Sequence, residues 1–170
     1  MNKKSRWTGM IFALGSILAF WSFTWAQSSA NAGQKGAVLA KHATGTFEVK
    51  LSPLEDKTGD AAVGRMSIDK VFHGDIEGTS KGQMLTAMTE VKGSAGYVAI
   101  ERLTGSMHGR NGTFALQHSA TMNRGVPSLS IAVVPDSGTG QLVGIAGKFD
   151  IKIEGGRHSY DFEYTVPEAE

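Results

Sequence analysis

Glu101 and His118 are the residues of this chain whose types and spacing could do chemistry. Each lies in a segment of alternating residues, and the face that carries His118 also carries Phe114, Leu116 and Met122. A carboxylate beside an imidazole in apolar surroundings shifts the pKa of both groups and can move a proton. We therefore take Glu101 and His118 as the candidate catalytic pair.

The direction of Glu101 depends on which face of its segment is buried. If Tyr97 points inward, Glu101 does too, because side chains two residues apart share one face of a strand. If Val98 points inward, Glu101 is a solvated charge, the ordinary state of a carboxylate. His118 has its own ordinary alternative as a hydrogen-bonded structural residue. The candidate ligand-binding residues are Tyr97, Glu101, Phe114, Leu116, His118 and Met122.

Other chemistries find little support in the sequence. The five histidines are scattered without a metal-binding spacing, so we expect no metal site. Gly138, Gly140 and Gly144 do not have the spacing of a dinucleotide-binding loop, and we expect no cofactor. The chain contains no cysteine, which excludes a thiol nucleophile and a disulfide framework.

The first 32 residues have the layout of a secretory signal peptide. Three basic residues precede an apolar run without charges, and two small-x-small cleavage sites follow. We expect cleavage after Ala32 or, as the alternative, after Ala26, and an exported protein that is periplasmic or secreted. The competing interpretation is an uncleaved membrane anchor, because the run approaches the roughly 20 residues that span a bilayer.

Removal of the leader changes the charge balance. The chain has 17 Lys and Arg against 16 Asp and Glu, and three of the basic residues lie in the leader. The remaining 14 basic residues are outnumbered by the acidic ones, which argues against a nucleic-acid partner. We expect contact with a membrane only through an uncleaved leader.

After residue 43, apolar residues recur at every second position, which predicts strands. Pairs such as Gly155-Gly156 predict tight hairpin turns, and Asn111-Gly112 is interpreted as a turn in the same way. Consecutive hairpins make an antiparallel meander, and closing it into a barrel removes both exposed edges. The eight predicted strands cover residues 44–52, 63–73, 76–89, 96–104, 112–122, 128–134, 148–154 and 158–166.

The predicted organisation is a single barrel domain behind a leader. Residues 1–32 form the signal peptide, 33–43 a flexible lead-in, 44–167 the closed eight-stranded antiparallel β-barrel, and 168–170 a tail. Residues 139–144, in the one long connection, could form a single helical turn. A barrel of this size is either filled by side chains or holds one small ligand.

Four sequence blocks together resemble an uncharacterised, mainly bacterial family. They are GRMSIDKVFHGDIEGTSKG (64–82), GYVAIERLTG (96–105), GRNGTFALQH (109–118) and VPDSGTGQLVGIAG (134–147). The resemblance is to the domain-of-unknown-function family DUF3224 and covers roughly residues 44–167. It implies a barrel similar to that of allene oxide cyclase and, more distantly, to lipocalin and avidin barrels, and it implies no catalytic residues. The leader departs from the usual members of the family.

Three functions are compatible with these observations. The first is the binding of a small apolar or amphipathic molecule in a cavity lined by Tyr97, Phe114, Leu116 and Met122. The second is a cyclase-like or isomerase-like enzyme in which Glu101 and His118 move a proton. The third is a structural or assembly role in the cell envelope, with copies of the chain associating through a barrel face.

Overall fold

A computed structural model describes residues 39–55 and 59–168. Within these ranges the protein is all-β, and eight antiparallel strands follow one another around a closed barrel, as predicted. The predicted signal peptide at 1–32 lies outside the described residues, as does the predicted lead-in up to residue 38. The elements are β1 (Lys41–Leu54), β2 (Val63–Gly74), β3 (Ile76–Met88), β4 (Ala95–Met107), β5 (Arg110–Asn123), β6 (Val126–Val133), a 3-10 turn (Gly140–Leu142), β7 (Ala146–Glu154) and β8 (Arg157–Thr165).

The strands are longer than the alternation predicts at several ends. β1 begins at Lys41, three residues before the predicted start, because its pairing with β8 already holds at Lys41 opposite Tyr164. This pairing between the first and the last strand closes the barrel. Among the described residues, no helix is both long and apolar enough to cross a membrane.

The turn between β4 and β5 lies at His108-Gly109, where both residues have positive φ angles of 47° and 78°. The prediction of a turn at Asn111-Gly112 is wrong, because both residues belong to β5. Gly112 instead allows another backbone segment to approach β5 closely. A Cβ at this position would collide with the carbonyl oxygen of Thr139, in the segment that leads into the 3-10 turn.

One end of the barrel is plugged by side chains. The predicted helical turn at 139–144 is present as a 3-10 turn, and its Leu142 is fully buried. Ile145 and Val166 are buried in the same cluster of apolar side chains. We call this the plugged end and the opposite end, where β3 and β5 finish, the mouth.

The seam between β6 and β7 has the shortest strand pairing in the barrel wall. Its register contains one Cα pair, Ala132 with Lys148, whereas β6 pairs with β5 along its whole length. Residues 126–131 of β6 therefore have a strand partner on one side only. This leaves the β6 side of the mouth lightly covered, and Leu129 is 41% exposed.

The interior is divided into two apolar clusters by a layer of polar side chains. On the inward face of β2, Lys70 lies between Phe72 of the main cluster and Ile68 of a smaller cluster near the mouth. On β4, Glu101 lies in the same way between Leu103 and Ala99. The polar layer also contains Ser80 of β3 and His118 of β5, and all four of its residues are buried.

Candidate functional site

The structure answers the question of which way Glu101 faces. Along β4 the buried residues are Ala99, Glu101, Leu103 and Met107, while Val98 and Ile100 are 53% and 50% exposed on the outer wall. The Tyr97 face therefore points inward. Glu101 is fully buried, with 0% of its surface exposed.

Glu101 is the acceptor at the centre of a hydrogen-bonded cluster. Lys70 Nζ donates to its Oε1 at 2.7 Å, and Ser80 Oγ donates to its Oε2 at 2.6 Å. His118 Nε2 also lies 2.8 Å from Oε1. The three partners come from β2, β3 and β5, so the cluster forms only when four strands are in register. The structure thus brings the candidate pair, Glu101 and His118, into direct contact.

Gly82 makes room for the carboxylate side chain. It lies opposite Glu101 in the pairing of β3 with β4. A Cβ at Gly82 would come within 2.6 Å of the Glu101 Cβ and would collide with the Ile100 carbonyl oxygen. A larger residue on β3 would therefore push β4 away at the level of the cluster.

The surroundings keep Glu101 ionised. Burial alone would raise its pKa, but the hydrogen bond from His118, the charge and hydrogen bond of Lys70, and the Ser80 hydroxyl together lower the pKa to about 2. The Lys70 ammonium also lies over the aromatic rings of Phe47 and Phe72, 5.0 Å and 5.9 Å from their centroids. Within the described part of the chain, every buried side-chain nitrogen and oxygen has a hydrogen-bond partner.

This arrangement is better suited to maintaining a buried ion pair than to transferring protons. A general base works best with a pKa near the working pH. The Glu101 carboxylate has a pKa of about 2, and both of its oxygens already accept hydrogen bonds. Glu101 and His118 are in contact, as the predicted proton movement requires, but the basicity of Glu101 is low.

The remaining predicted ligand-binding residues separate into two groups. Tyr97 and Met122 line a cavity of about 310 Å³ at the mouth, together with Met88, Ala120 and Leu129. Burial and the nearby Glu101 charge raise the pKa of the Tyr97 phenol.

Phe114 and Leu116 lie elsewhere, on the plugged side of the polar layer. Both are fully buried in the main cluster, and Phe114 stacks on Phe162 with ring centroids 5.5 Å apart. The sequence predicts that these two side chains line the ligand cavity, but in the structure they lie on β5 below His118, where side chains fill the interior. They contribute to the core instead.

Sequence reasoning missed two members of the cluster, Lys70 and Ser80. The signal for Lys70 is its position in the alternation, between Ile68 and Phe72 on an otherwise apolar face. Ser80 carries no comparable signal, because a serine is common on either face of a strand. Among the described residues, no three His, Asp or Glu side chains are grouped as a metal site would require.

Comparison with known proteins places the chain in a family. The profile of a family described as "Protein of unknown function (DUF3224)" matches residues 43–164. The chain belongs to the DUF3224 family. The resemblance found in the four sequence blocks is thereby confirmed.

A solved structure from the same family supports the barrel. It is the crystal structure of a DUF3224 protein of unknown function from Shewanella oneidensis MR-1. The two chains are 48% identical, with a TM-score of 0.72, and the match covers 77% of this chain and 100% of that one. No curated protein matches the chain. Membership of DUF3224 therefore supports the fold and assigns no function.

Proposed function

We propose that this DUF3224 protein binds a small apolar or amphipathic molecule in the mouth of its barrel. The observation that carries the proposal is the cavity of about 310 Å³ lined by Met88, Tyr97, Met122 and Leu129. Its volume is at the lower end of the range of ligand pockets, which is about 300–1,000 Å³. Ligand pockets are also typically lined by apolar and aromatic side chains, as this one is.

The exposure of these side chains supports the same proposal. Met88, Met122 and Leu129 occupy inward-facing positions of their strands, yet they are 61%, 42% and 41% exposed. An apolar side chain that faces a barrel interior is ordinarily buried, and each Å² removed from water contributes roughly 25 cal/mol. A bound apolar molecule would supply the missing cover.

The buried charge cluster would form the floor of this site. Glu101 lies one inward position below Ala99 and two below Tyr97 on β4. Because Lys70, Ser80 and His118 each form a hydrogen bond with Glu101, the floor would be rigid. It would also limit how deeply a ligand enters. This role needs no proton transfer, in keeping with the low basicity of Glu101.

Binding would be tested with the fluorescent apolar probe N-phenyl-1-naphthylamine. Wild-type protein should enhance the fluorescence saturably, and Met122→Glu should weaken binding by roughly tenfold or more, because the new carboxylate must lose water in the cavity. Val71→Glu is the matched control, since Val71 is 44% exposed on the outer wall, close to the 42% of Met122. Absence of saturable binding, or equal binding by Met122→Glu and wild type, would overturn the proposal.

Export is part of the proposal and rests on the leader sequence. The basic start, the apolar run and the small residues before Ala32 have the order of a cleaved signal peptide. Fractionation of cells that express the full chain, followed by N-terminal sequencing, tests this. A mature chain that starts after Ala32 or Ala26 outside the cytoplasm would support export, and an intact chain in the cytoplasm would contradict it.

A second proposal, association between copies of the chain, has one observation in its favour. Leu85 and Val98 are paired neighbours on the outer wall, and Ile100 lies next to them on β4, all about half exposed. Arg65 and Gln83 flank this outer patch and hydrogen-bond to each other at 2.7 Å. Sedimentation velocity should show an oligomer that Val98→Lys dissociates. A monomer at all concentrations would dispose of this proposal.

A further inference from the structure

We propose that the ligand of the mouth cavity is a single-chain amphipathic anion whose headgroup is bound by Lys92 and Arg124. This inference rests on the proposed function and specifies the chemical class of the ligand. It requires two features, an uncharged cavity for the chain and accessible cations at its edge.

The cavity itself carries no charge. Its lining consists of apolar side chains, glycine, and the uncharged polar groups of threonine, serine and tyrosine. No Asp, Glu, Lys or Arg takes part in the lining. A charged headgroup placed inside would lose its hydration without a partner, so the polar end of any ligand must stay at the edge.

Lys92 and Arg124 stand on two neighbouring turns at that edge. Lys92 lies in the connection between β3 and β4, and Arg124 lies in the turn between β5 and β6. The Gly125 amide donates to the Gly93 carbonyl at 2.9 Å, and the Arg124 amide donates to Ser94 Oγ at 3.0 Å. The two turns are thus joined beside the strand ends whose residues line the cavity, at Met88, Ala95, Met122 and Pro127.

Among the described residues, neither cation has a carboxylate partner. The ion pairs of lysine and arginine there involve Lys41, Lys70, Lys81 and Arg110, and not Lys92 or Arg124. Glu90 lies on the same connection as Lys92, so the charges on the two turns are two positive and one negative, a net of +1. An anion held beside these two turns would meet their net positive charge, whereas Glu55 and Asp60 lie on the connection between β1 and β2 at the same end of the barrel.

The size of the cavity points to one chain. A volume of about 310 Å³ holds roughly ten water-sized groups at about 30 Å³ each. That is enough for a medium-length alkyl chain and too little for a two-chain lipid. The expected ligand is therefore a carboxylate, sulfate or phosphate ester with one chain.

The test compares decanoate with decanol, which share a chain and differ in headgroup charge. Each would displace N-phenyl-1-naphthylamine at low and high salt, below the concentration at which decanoate forms micelles. We expect decanoate to bind more tightly than decanol, with a preference that shrinks as salt screens the two cations.

A double variant locates the headgroup. Lys92→Gln with Arg124→Gln should weaken decanoate binding by roughly three- to tenfold, as for two exposed charge pairs, and leave decanol binding unchanged. The control, Lys148→Gln with Arg102→Gln, makes the same change in net charge on the outer wall and should alter neither ligand. Lys148 and Arg102 lie on β7 and β4, outside the two turns.

The outcomes separate this inference from the proposed function. Equal binding of decanoate and decanol, unaffected by salt and by the double variant, would overturn the anionic headgroup and leave the apolar cavity standing. Failure of the probe and both ligands to bind would overturn both proposals. Sedimentation with anionic vesicles, without binding of monomeric decanoate, would also overturn the inference and assign the cations to a membrane surface.

Discussion

Replacing Glu101 with glutamine removes the negative charge from the centre of the barrel while nearly preserving the size of the side chain. Lys70, only 6% exposed, would then face a neutral amide in place of its counterion. The pKa of Glu101 lies about 2.5 units below its ordinary value of 4.5. At about 1.4 kcal/mol per unit this corresponds to roughly 3 kcal/mol of stability at neutral pH. Breaking a buried ion pair by removing one partner costs a similar amount, about 3–5 kcal/mol.

The assay is urea denaturation at pH 7, followed by circular dichroism. Glu101→Gln should lower the free energy of unfolding by about 3 kcal/mol, whereas Glu163→Gln, an exposed carboxylate on β8, should change it by less than about 0.5 kcal/mol. If Glu101→Gln does not fold, Ser80→Ala provides a milder test. It removes one donor to the carboxylate and should cost about 1–2 kcal/mol.

A double-mutant cycle identifies the cause of the loss. Lys70→Met with Glu101→Gln should be less destabilised than the sum of the two single variants, because neither charge is then left alone in the interior. A cost below about 1 kcal/mol for Glu101→Gln, or strict additivity in the cycle, would refute the role assigned to the cluster.

Two further predictions concern the same layer of the barrel. Because the folded-state pKa of Glu101 is lowered, its contribution to stability is complete above its ordinary pKa of 4.5 and is lost as the pH falls toward about 2. Urea denaturation should therefore show a smaller loss of stability in acid for Glu101→Gln than for wild type. Gly82→Ala should destabilise the protein by about 1–3 kcal/mol, because its Cβ would collide with β4, while Gly96→Ala, whose Cβ meets no atom closer than 3.5 Å, should be tolerated. Equal denaturation midpoints for the two glycine variants would contradict the close approach at Gly82.

The alternation of residues predicts much of the fold because a strand with one buried face carries its pattern in the sequence. The inward direction of His118 follows from its apolar neighbours on β5. Glu101 could not be assigned in this way, since both faces of β4 carry apolar residues, with Leu103 on one and Val98 and Ile100 on the other. The alternation of residues therefore does not show which face of β4 is buried.

The alternation of residues does not predict the partners of Glu101. Lys70 and Ser80 meet the carboxylate only because β2, β3 and β4 pair in a particular register, which turn lengths and interior packing fix together. The separation of Phe114 from Tyr97 also depends on the whole fold. The plug of Leu142 and Ile145 fills one end of the barrel and leaves the cavity at the other.

The most direct test of ligand binding in the mouth is an NMR titration of methyl-labelled methionines with N-phenyl-1-naphthylamine. Met88 and Met122 line the cavity, whereas Met107 is 1% exposed in the plugged end. The account predicts saturable shifts of the Met88 and Met122 methyl signals and no shift of Met107. Shifts centred on Met107, or no shift of Met88 and Met122 at saturating probe, would contradict it.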